Sequence, residues 1–157
     1  ALENGFFSVR HGSVSGLTPL ELQLQWRVSA RKRFPGVEAV EARRRKGLGR
    51  RLTYFTSREP VSPEDEIRDG DTLVGTVQSA AFSPGLSGFV GTALLDIDVA
   101  YPGIDFVVAQ GGEGERPIRT VSSPLVFNRS LLVDPHRHTH GTRDETNDPP
   151  LFRDATP

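Results

Sequence analysis

The sequence predicts a mainly β protein: a small antiparallel β-barrel preceded by a short α/β segment with one surface helix. Two observations support this fold class. After Gly49 the chain consists of short apolar runs separated by Pro, Gly and Asp, which is typical of strands in a barrel or sandwich. Before that point, the run VEAVEARRRK, from Val37 to Lys46, is rich in residues that favour a helix.

The beginning of the chain carries two competing signals. Thr18 is a candidate N-cap, Pro19 suits the first helical position, and Glu21 lies in the same turn. From Leu20 to Trp26, however, apolar and polar residues alternate with a period of two, which favours a half-buried strand over a helix. We therefore predict a turn followed by a strand.

The helix over 37–46 has recognisable ends. Pro35-Gly36 precedes it, and Gly47 follows a basic last turn as a suitable C′ residue. Its apolar face is narrow and depends on Val37 and Val40, so we expect the helix to lie on the surface of something larger.

The barrel is predicted from five apolar runs and the turns between them. The runs are Leu52 to Phe55, Thr72 to Ser79, Phe89 to Val99, Asp105 to Ala109 and Ile118 to Val121. The turns are Arg68 to Asp71, Ser83 to Gly85, Tyr101 to Gly103 and Gly111-Gly112, each with a glycine that permits a positive φ. We place the barrel at residues 48–128 and predict that the polar tail, 129–157, is extended or disordered.

Composition narrows the class of protein. The chain has 157 residues, 36% of them hydrophobic and 25% charged, with a net charge of -1, and no apolar run reaches the roughly 18 residues of a membrane span. We see no signal peptide, so we expect a cytoplasmic or organelle-matrix protein without membrane contact. Without cysteine there is no disulfide and no thiol nucleophile. Because the chain also lacks Met, we interpret it as a piece of a longer protein.

Charge is distributed unevenly along the chain. Ten of the 19 Lys and Arg residues lie between Arg27 and Arg51, where only Glu38 and Glu41 oppose them. The part from Leu52 onward has eight basic and 16 acidic residues. An anionic partner for the basic stretch is therefore worth considering.

A series of short motifs resembles one known family. Residues 74–86, VGTVQSAAFSPGL, are similar to the strand-turn signature VGxVTSGxxSPxL of the glycine-cleavage T-protein (aminomethyltransferase) family. Upstream, LENG at residues 2–5 resembles the family's LEAG, residues 18–26 resemble TPxEAGLxW, and residues 34–40 resemble FxGxEAL. Gln78 and Ala80 depart from the family's usual Thr and Gly.

The resemblance implies a domain division and a cofactor. Residues 1–47 would be the tail end of the family's folate-binding region with a connecting helix, and 48–128 its C-terminal β-barrel. In this family tetrahydrofolate accepts a one-carbon unit from a small donor, and an important aspartate lies in a part that would precede Ala1. The resemblance therefore implies one wall of a folate cleft, no catalytic residue, and a chain that is inactive by itself.

Two residues are candidates for contact with the cofactor. Trp26 either packs in the core or lines the pterin pocket, where its aromatic face could stack on the ring. Glu21 either has a surface or capping role or contributes to the same pocket.

The basic run is the candidate anion-binding surface. It comprises Arg43, Arg44, Arg45, Lys46, Arg50 and Arg51. Such a run is commonly a solvated helix face with a favourable charge at a helix C-terminus. Alternatively it binds the glutamate tail of folate or an acidic carrier protein that delivers the substrate. A nucleic-acid site is disfavoured by the acidic remainder of the chain and by the lack of paired aromatic residues.

Other constellations carry little chemistry. His136, His138 and His140 alternate in the tail, a spacing that more often gives incidental metal affinity than a metal site, and we predict none. No GxSxG nucleophile elbow is present. Two hypotheses follow: the C-terminal portion of a folate-dependent one-carbon transferase, or a stand-alone barrel that docks an acidic protein.

Overall fold

Six strands in the described part of the chain form a closed antiparallel barrel. The computed structural model describes residues 2–5, 16–29, 31–109 and 114–125. The strands are β1 (Arg50–Ser57), β2 (Glu66–Asp69), β3 (Thr72–Ser83), β4 (Gly88–Asp96), β5 (Asp105–Ala109) and β6 (Glu115–Val121). Their order around the barrel is β1-β4-β3-β2-β5-β6, and β6 pairs with β1 to close it. The predicted fold class is confirmed.

Each predicted apolar run lies within or largely overlaps one of these strands. The runs at 52–55 and 72–79 fall inside the longer β1 and β3, and the run at 105–109 coincides with β5. The predicted turn at 68–71 is present, with Gly70 at a φ of 55°. The predicted turn at Gly111-Gly112 and the tail, 129–157, lie outside the described residues.

The barrel interior is a single apolar cluster. Its members with no exposed surface are Phe55, Ile67, Val77, Ala93, Leu95 and Val108. Gly75 and Gly91 lie where strands approach one another closely, because a Cβ at Gly75 would be 2.4 Å from the Leu94 carbonyl oxygen. This close approach requires a residue without a side chain at position 75.

The β3–β4 pairing contains a bulge next to Gln78. Val77 pairs with Ala93 and Ser79 with Thr92, which leaves Gln78 as the extra residue in β3. A bulge bends the strand and increases its local twist. Barrel closure needs such bending, so the insertion has a structural reason here.

The outer wall of the barrel at β1 and β4 is also covered. Residues 52–55 of β1 and 90–95 of β4 are buried without interruption. Because side chains alternate between the faces of a strand, both faces must be shielded there. Leu20 and Leu22 of the preceding segment are buried as well.

The helix α1 (Val37–Lys46) forms as predicted. Gly36 and Gly47 flank it with φ angles of 93° and 84°, and the Gly47 N–H donates to the Arg43 carbonyl at 3.1 Å. None of its ten residues is buried, which confirms a surface helix.

The strand predicted over Leu20 to Trp26 is wrong. Residues 19–23 form turns, and a 3-10 helix covers Gln25–Arg27; a second 3-10 helix covers Leu2–Asn4. The Leu24 N–H donates to the Pro19 carbonyl at 2.8 Å, and Gln23 has a φ of 59°, which extended chains do not adopt. The turn predicted from Thr18, Pro19 and Glu21 is therefore confirmed, although the alternating pattern of the same residues favours a strand.

Candidate functional site

The segment before the barrel contains a carboxylate that is fully shielded from water. The Glu21 side chain has 0% exposure. The Thr18 N–H donates to its Oε2 at 2.9 Å, and the Thr18 hydroxyl donates to the same oxygen. Arg43 donates from Nε to the other oxygen, Oε1. The capping role considered for Glu21 is therefore present, whereas the surface role is wrong.

This environment keeps Glu21 ionised. Burial by itself raises the pKa of the Glu21 carboxyl, but the hydrogen bonds from Thr18 and Arg43 together outweigh burial. The pKa accordingly lies below its ordinary value of 4.5. The carboxylate and Arg43 form an ion pair across 22 positions in sequence.

The same segment is hydrogen-bonded to the barrel. The Leu52 N–H in β1 donates to the Glu21 carbonyl at 2.8 Å. The Gln23 side-chain amide donates from Nε2 to the Leu52 carbonyl at 2.6 Å. Both backbone groups of Leu52 are therefore engaged by this segment.

Trp26 lies on the surface. Its side chain is 71% exposed, and the Arg27 guanidinium lies 4.5 Å from its ring centroid, a cation–π contact. The core-packing role considered for Trp26 is wrong. A pterin-stacking role stays a prediction, with an accessible indole as the feature that supports it.

The structure divides the six predicted anion-binding residues into two groups. Arg43 is 33% exposed and pairs with Glu21, Arg50 lies 3.5 Å from Asp96, and Arg51 stacks over the Tyr101 ring at 5.9 Å. Arg44, Arg45 and Lys46 are exposed and have no ion pair within the described ranges. The last three are therefore the ones available to an anion.

A second set of contacts, at the start of the chain, could not be predicted from the sequence. The Ser83 hydroxyl, nearly fully buried, donates to the Glu3 carboxylate, and the Leu125 N–H donates to the Glu3 carbonyl at 2.7 Å. The Tyr54 hydroxyl donates to the Gly5 carbonyl at 2.8 Å. Ser83-Pro84 was recognisable as a turn, but its partner is 80 residues away, and no local signal marks it.

Tyr54 has a perturbed ionisation. Burial raises the pKa of its hydroxyl above the ordinary 10.0, against the lowering effect of a hydrogen bond with Ser123. Tyr54 therefore stays neutral at ordinary pH and serves as a donor to the Gly5 carbonyl.

The described residues contain neither a metal site nor a membrane-spanning helix. No group of three or more His, Asp or Glu residues there could hold a metal ion; His136, His138 and His140 lie outside those residues. No helix in these ranges is long and apolar enough to cross a bilayer.

Together these features define a class: a closed six-stranded barrel domain with an upstream segment hydrogen-bonded to strand β1. Residues 50–126 match the family model described as the glycine cleavage T-protein C-terminal barrel domain. The barrel of this chain is therefore a C-terminal barrel domain of the glycine cleavage T-protein family.

Curated relatives and a solved structure agree with this assignment. A probable aminomethyltransferase from Pyrococcus furiosus is 30% identical over 114 residues, which are 71% of this chain and 28% of that protein. The aminomethyltransferase of Thermosipho melanesiensis is 34% identical over 83 residues, 51% of this chain and 23% of that protein. The chain thus spans less than a third of the length of these relatives.

The fold is shared with a crystal structure. The glycine cleavage system aminomethyltransferase T from Bartonella henselae superposes with a TM-score of 0.70 at 23% identity, covering 78% of this chain and 36% of that one. This structural similarity shows that the two chains share a fold.

Proposed function

We propose that this chain is the C-terminal portion of a tetrahydrofolate-dependent one-carbon transferase that moves an aminomethyl or methyl group. One observation carries the proposal. The alignment with the P. furiosus protein covers 114 residues and so extends beyond the barrel match at 50–126. The relatives therefore share the barrel together with sequence flanking it, as expected for a portion of a larger enzyme.

In this proposal the chain forms one wall of the folate cleft and supports an N-terminal part that carries the catalytic acid. Trp26, with its exposed ring, would face the pterin. Glu21 would act behind that wall, because its carboxylate is shielded from water and both of its oxygens already accept hydrogen bonds. A cytoplasmic location and a small one-carbon donor are parts of the same proposal, and the chain alone is expected to be catalytically silent.

Sequencing the parent gene upstream of Ala1 tests the proposal most directly. We expect a reading frame that continues upstream into a folate-binding region. A complete frame that starts near Ala1 and encodes nothing upstream would contradict the transferase proposal.

Calorimetric titration tests the cofactor contact. Tetrahydrofolate is titrated into the chain with and without a polyglutamate tail, at low and moderate salt. Binding that weakens in Trp26→Ala supports the pterin wall, and Phe82→Ala, another exposed aromatic, is the matched control. Binding that is equal in both variants would contradict the role of Trp26.

A second candidate function is a barrel module that docks an acidic protein. The observation in its favour is a set of exposed cations without ion pairs in the part of the chain that the structure describes: Arg31, Lys32, Arg33, Arg44, Arg45 and Lys46. Several unpaired cations attract an acidic surface and increase the rate of encounter.

The docking function is tested with a twelve-residue oligoglutamate peptide. The triple variant Arg44→Gln/Arg45→Gln/Lys46→Gln should bind it about tenfold more weakly, because each exposed charge contributes up to about 1 kcal/mol. The control is Arg68→Gln/Arg119→Gln, which removes exposed cations already paired with Glu66 and Asp105. Equal affinity in both variants would contradict docking at α1, and stronger binding to single-stranded DNA than to the peptide would indicate nucleic acid instead.

A further inference from the structure

Helix α1 has little apolar attachment to the rest of the molecule. None of its residues is buried, and only Val37, Val40 and Arg43 are half-buried. These three residues are spaced by three positions and form one narrow stripe along the helix. A ten-residue helix is marginal in water by itself, so its position relative to the barrel depends on specific contacts.

Arg43 makes a contact that is unusual for a surface helix, because its partner is a buried carboxylate. It donates to a carboxylate that water does not reach, and within the described residues no other cation pairs with Glu21. A buried carboxylate is stable only when it is paired and its oxygens accept hydrogen bonds. Glu21 satisfies this requirement through Arg43 at one oxygen and Thr18 at the other.

Glu21 is also fixed to the barrel through its backbone. Its carbonyl accepts from the Leu52 N–H in β1, and Gln23 returns a hydrogen bond to the Leu52 carbonyl. Glu21 therefore connects strand β1 with helix α1: its backbone carbonyl is hydrogen-bonded to β1, and its side chain is hydrogen-bonded to α1.

We propose that Glu21 and Arg43 are a positioning pair that sets the place and angle of helix α1 relative to strand β1 of the barrel. Arg44, Arg45 and Lys46 follow Arg43 in the same helical turn, so the pair also fixes where these exposed cations lie. The proposal concerns the orientation of the helix, which is measured directly, and it does not depend on whether folate or an acidic protein binds.

The experiment is a distance measurement between two spin labels. The chain has no cysteine, so Glu41→Cys on α1 and Asp98→Cys beyond β4 give two unique attachment points, both exposed. In the otherwise unchanged chain we expect one narrow distance distribution. Arg43→Gln should broaden or shift it, whereas Arg43→Lys, which keeps the charge, should restore most of the narrow component.

The matched control is Arg44→Gln. It removes the same charge from the adjacent position, which has no ion pair within the described residues, and should leave the distribution unchanged. Arg43→Gln leaves a buried carboxylate unpaired and could unfold the chain. Glu21→Gln removes that charge and is therefore the second variant, also expected to broaden the distribution.

A narrow, unshifted distribution in Glu21→Gln, or in folded Arg43→Gln, would overturn the proposal. So would equal broadening in Arg44→Gln and Arg43→Gln, because that result would indicate a general effect of helix charge rather than a positioning pair.

Discussion

The barrel and the segment that precedes it are held in place by different kinds of interaction. In the barrel, six strands share closed backbone ladders around an apolar cluster. In the described part of the segment from 16 to 46, Glu21 and Gln23 make hydrogen bonds to β1, and Arg43 joins helix α1 to Glu21. Only Leu20 and Leu22 add buried apolar side chains there. Many small contributions specify the barrel, whereas single side chains specify the position of the segment.

Removing the largest fully buried side chain should produce the largest effect. Phe55→Ala is expected to lower the free energy of unfolding by about 4 kcal/mol, because Phe55 is fully buried and the substitution leaves a cavity. Urea unfolding followed by far-UV circular dichroism measures the loss. Phe82→Ala, at a largely exposed Phe, should cost less than about 1 kcal/mol; equal losses would contradict the assignment of the core.

A smaller loss is expected where two strands approach closely. Gly75→Ala should cost about 1–3 kcal/mol, because the new Cβ would lie 2.4 Å from the Leu94 carbonyl oxygen and would force β3 and β4 apart. Gly49→Ala is the matched control, since nothing lies within 4 Å of its Cβ position, and it should change stability by less than about 0.5 kcal/mol. Thermal unfolding of both variants compares them directly.

The segment should unfold separately from the barrel when Glu21 is replaced. Glu21→Gln is expected to cost about 1–3 kcal/mol, because an amide has one acceptor oxygen and presents donors to Thr18 or Arg43 where the carboxylate accepted. Trp26 is the only tryptophan, so its fluorescence reports on the segment while circular dichroism reports on the strands. We expect the fluorescence transition to move to lower urea than the dichroism transition. Coincident shifts would show that the two regions unfold as one unit.

The contribution of Glu21 should depend on pH. Its folded pKa is lower than 4.5, so between the folded and unfolded pKa values the unfolded chain binds more protons. The stabilisation is therefore fully present above about pH 4.5 and is lost as pH falls through the folded pKa. The stability difference between the unchanged chain and Glu21→Gln should shrink between pH 6 and pH 3. A constant difference would contradict the ionised state of Glu21.

The smallest effect is expected for an exposed ion pair of the barrel. Arg119→Gln breaks a 2.8 Å contact with Asp105, but both side chains are more than half exposed. Such pairs contribute about 0–1 kcal/mol. Denaturant unfolding at 0.05 and 0.5 M salt should show a small loss of unfolding free energy, and the loss should be smaller at the higher salt. A loss as large as that of Glu21→Gln would contradict the difference between the two regions.

The difference between the barrel and the preceding segment also explains which parts of the fold could be predicted from the sequence. Short apolar runs and glycine turns identified the strands because barrel structure is encoded locally, and the helix ended at its flanking glycines for the same reason. The alternation from Leu20 to Trp26 misled because Leu20 and Leu22 are buried in a turn rather than in a strand. A period of two does not distinguish these cases.

The candidate site was less predictable. Glu21 and Arg43 were each singled out, but as separate ligands for cofactor and anion, because nothing in a single sequence pairs positions 22 residues apart. The Ser83 contact with Glu3 spans 80 residues and was missed for the same reason. Polar contacts between residues that are distant in sequence produce no periodic pattern, so they become visible only in the folded structure.

Closure of the barrel has a consequence for assembly. The ladder from β1 through β4, β3, β2 and β5 to β6 returns to β1, so each of the six described strands has a paired neighbour on both sides along part of its length. A free edge is limited to parts of strands, such as the end of β3 beyond Thr76. Strand addition and edge-to-edge aggregation both need such an edge. Assembly by strand addition is therefore disfavoured, and we expect the domain to stay monodisperse when it is produced separately from its neighbours.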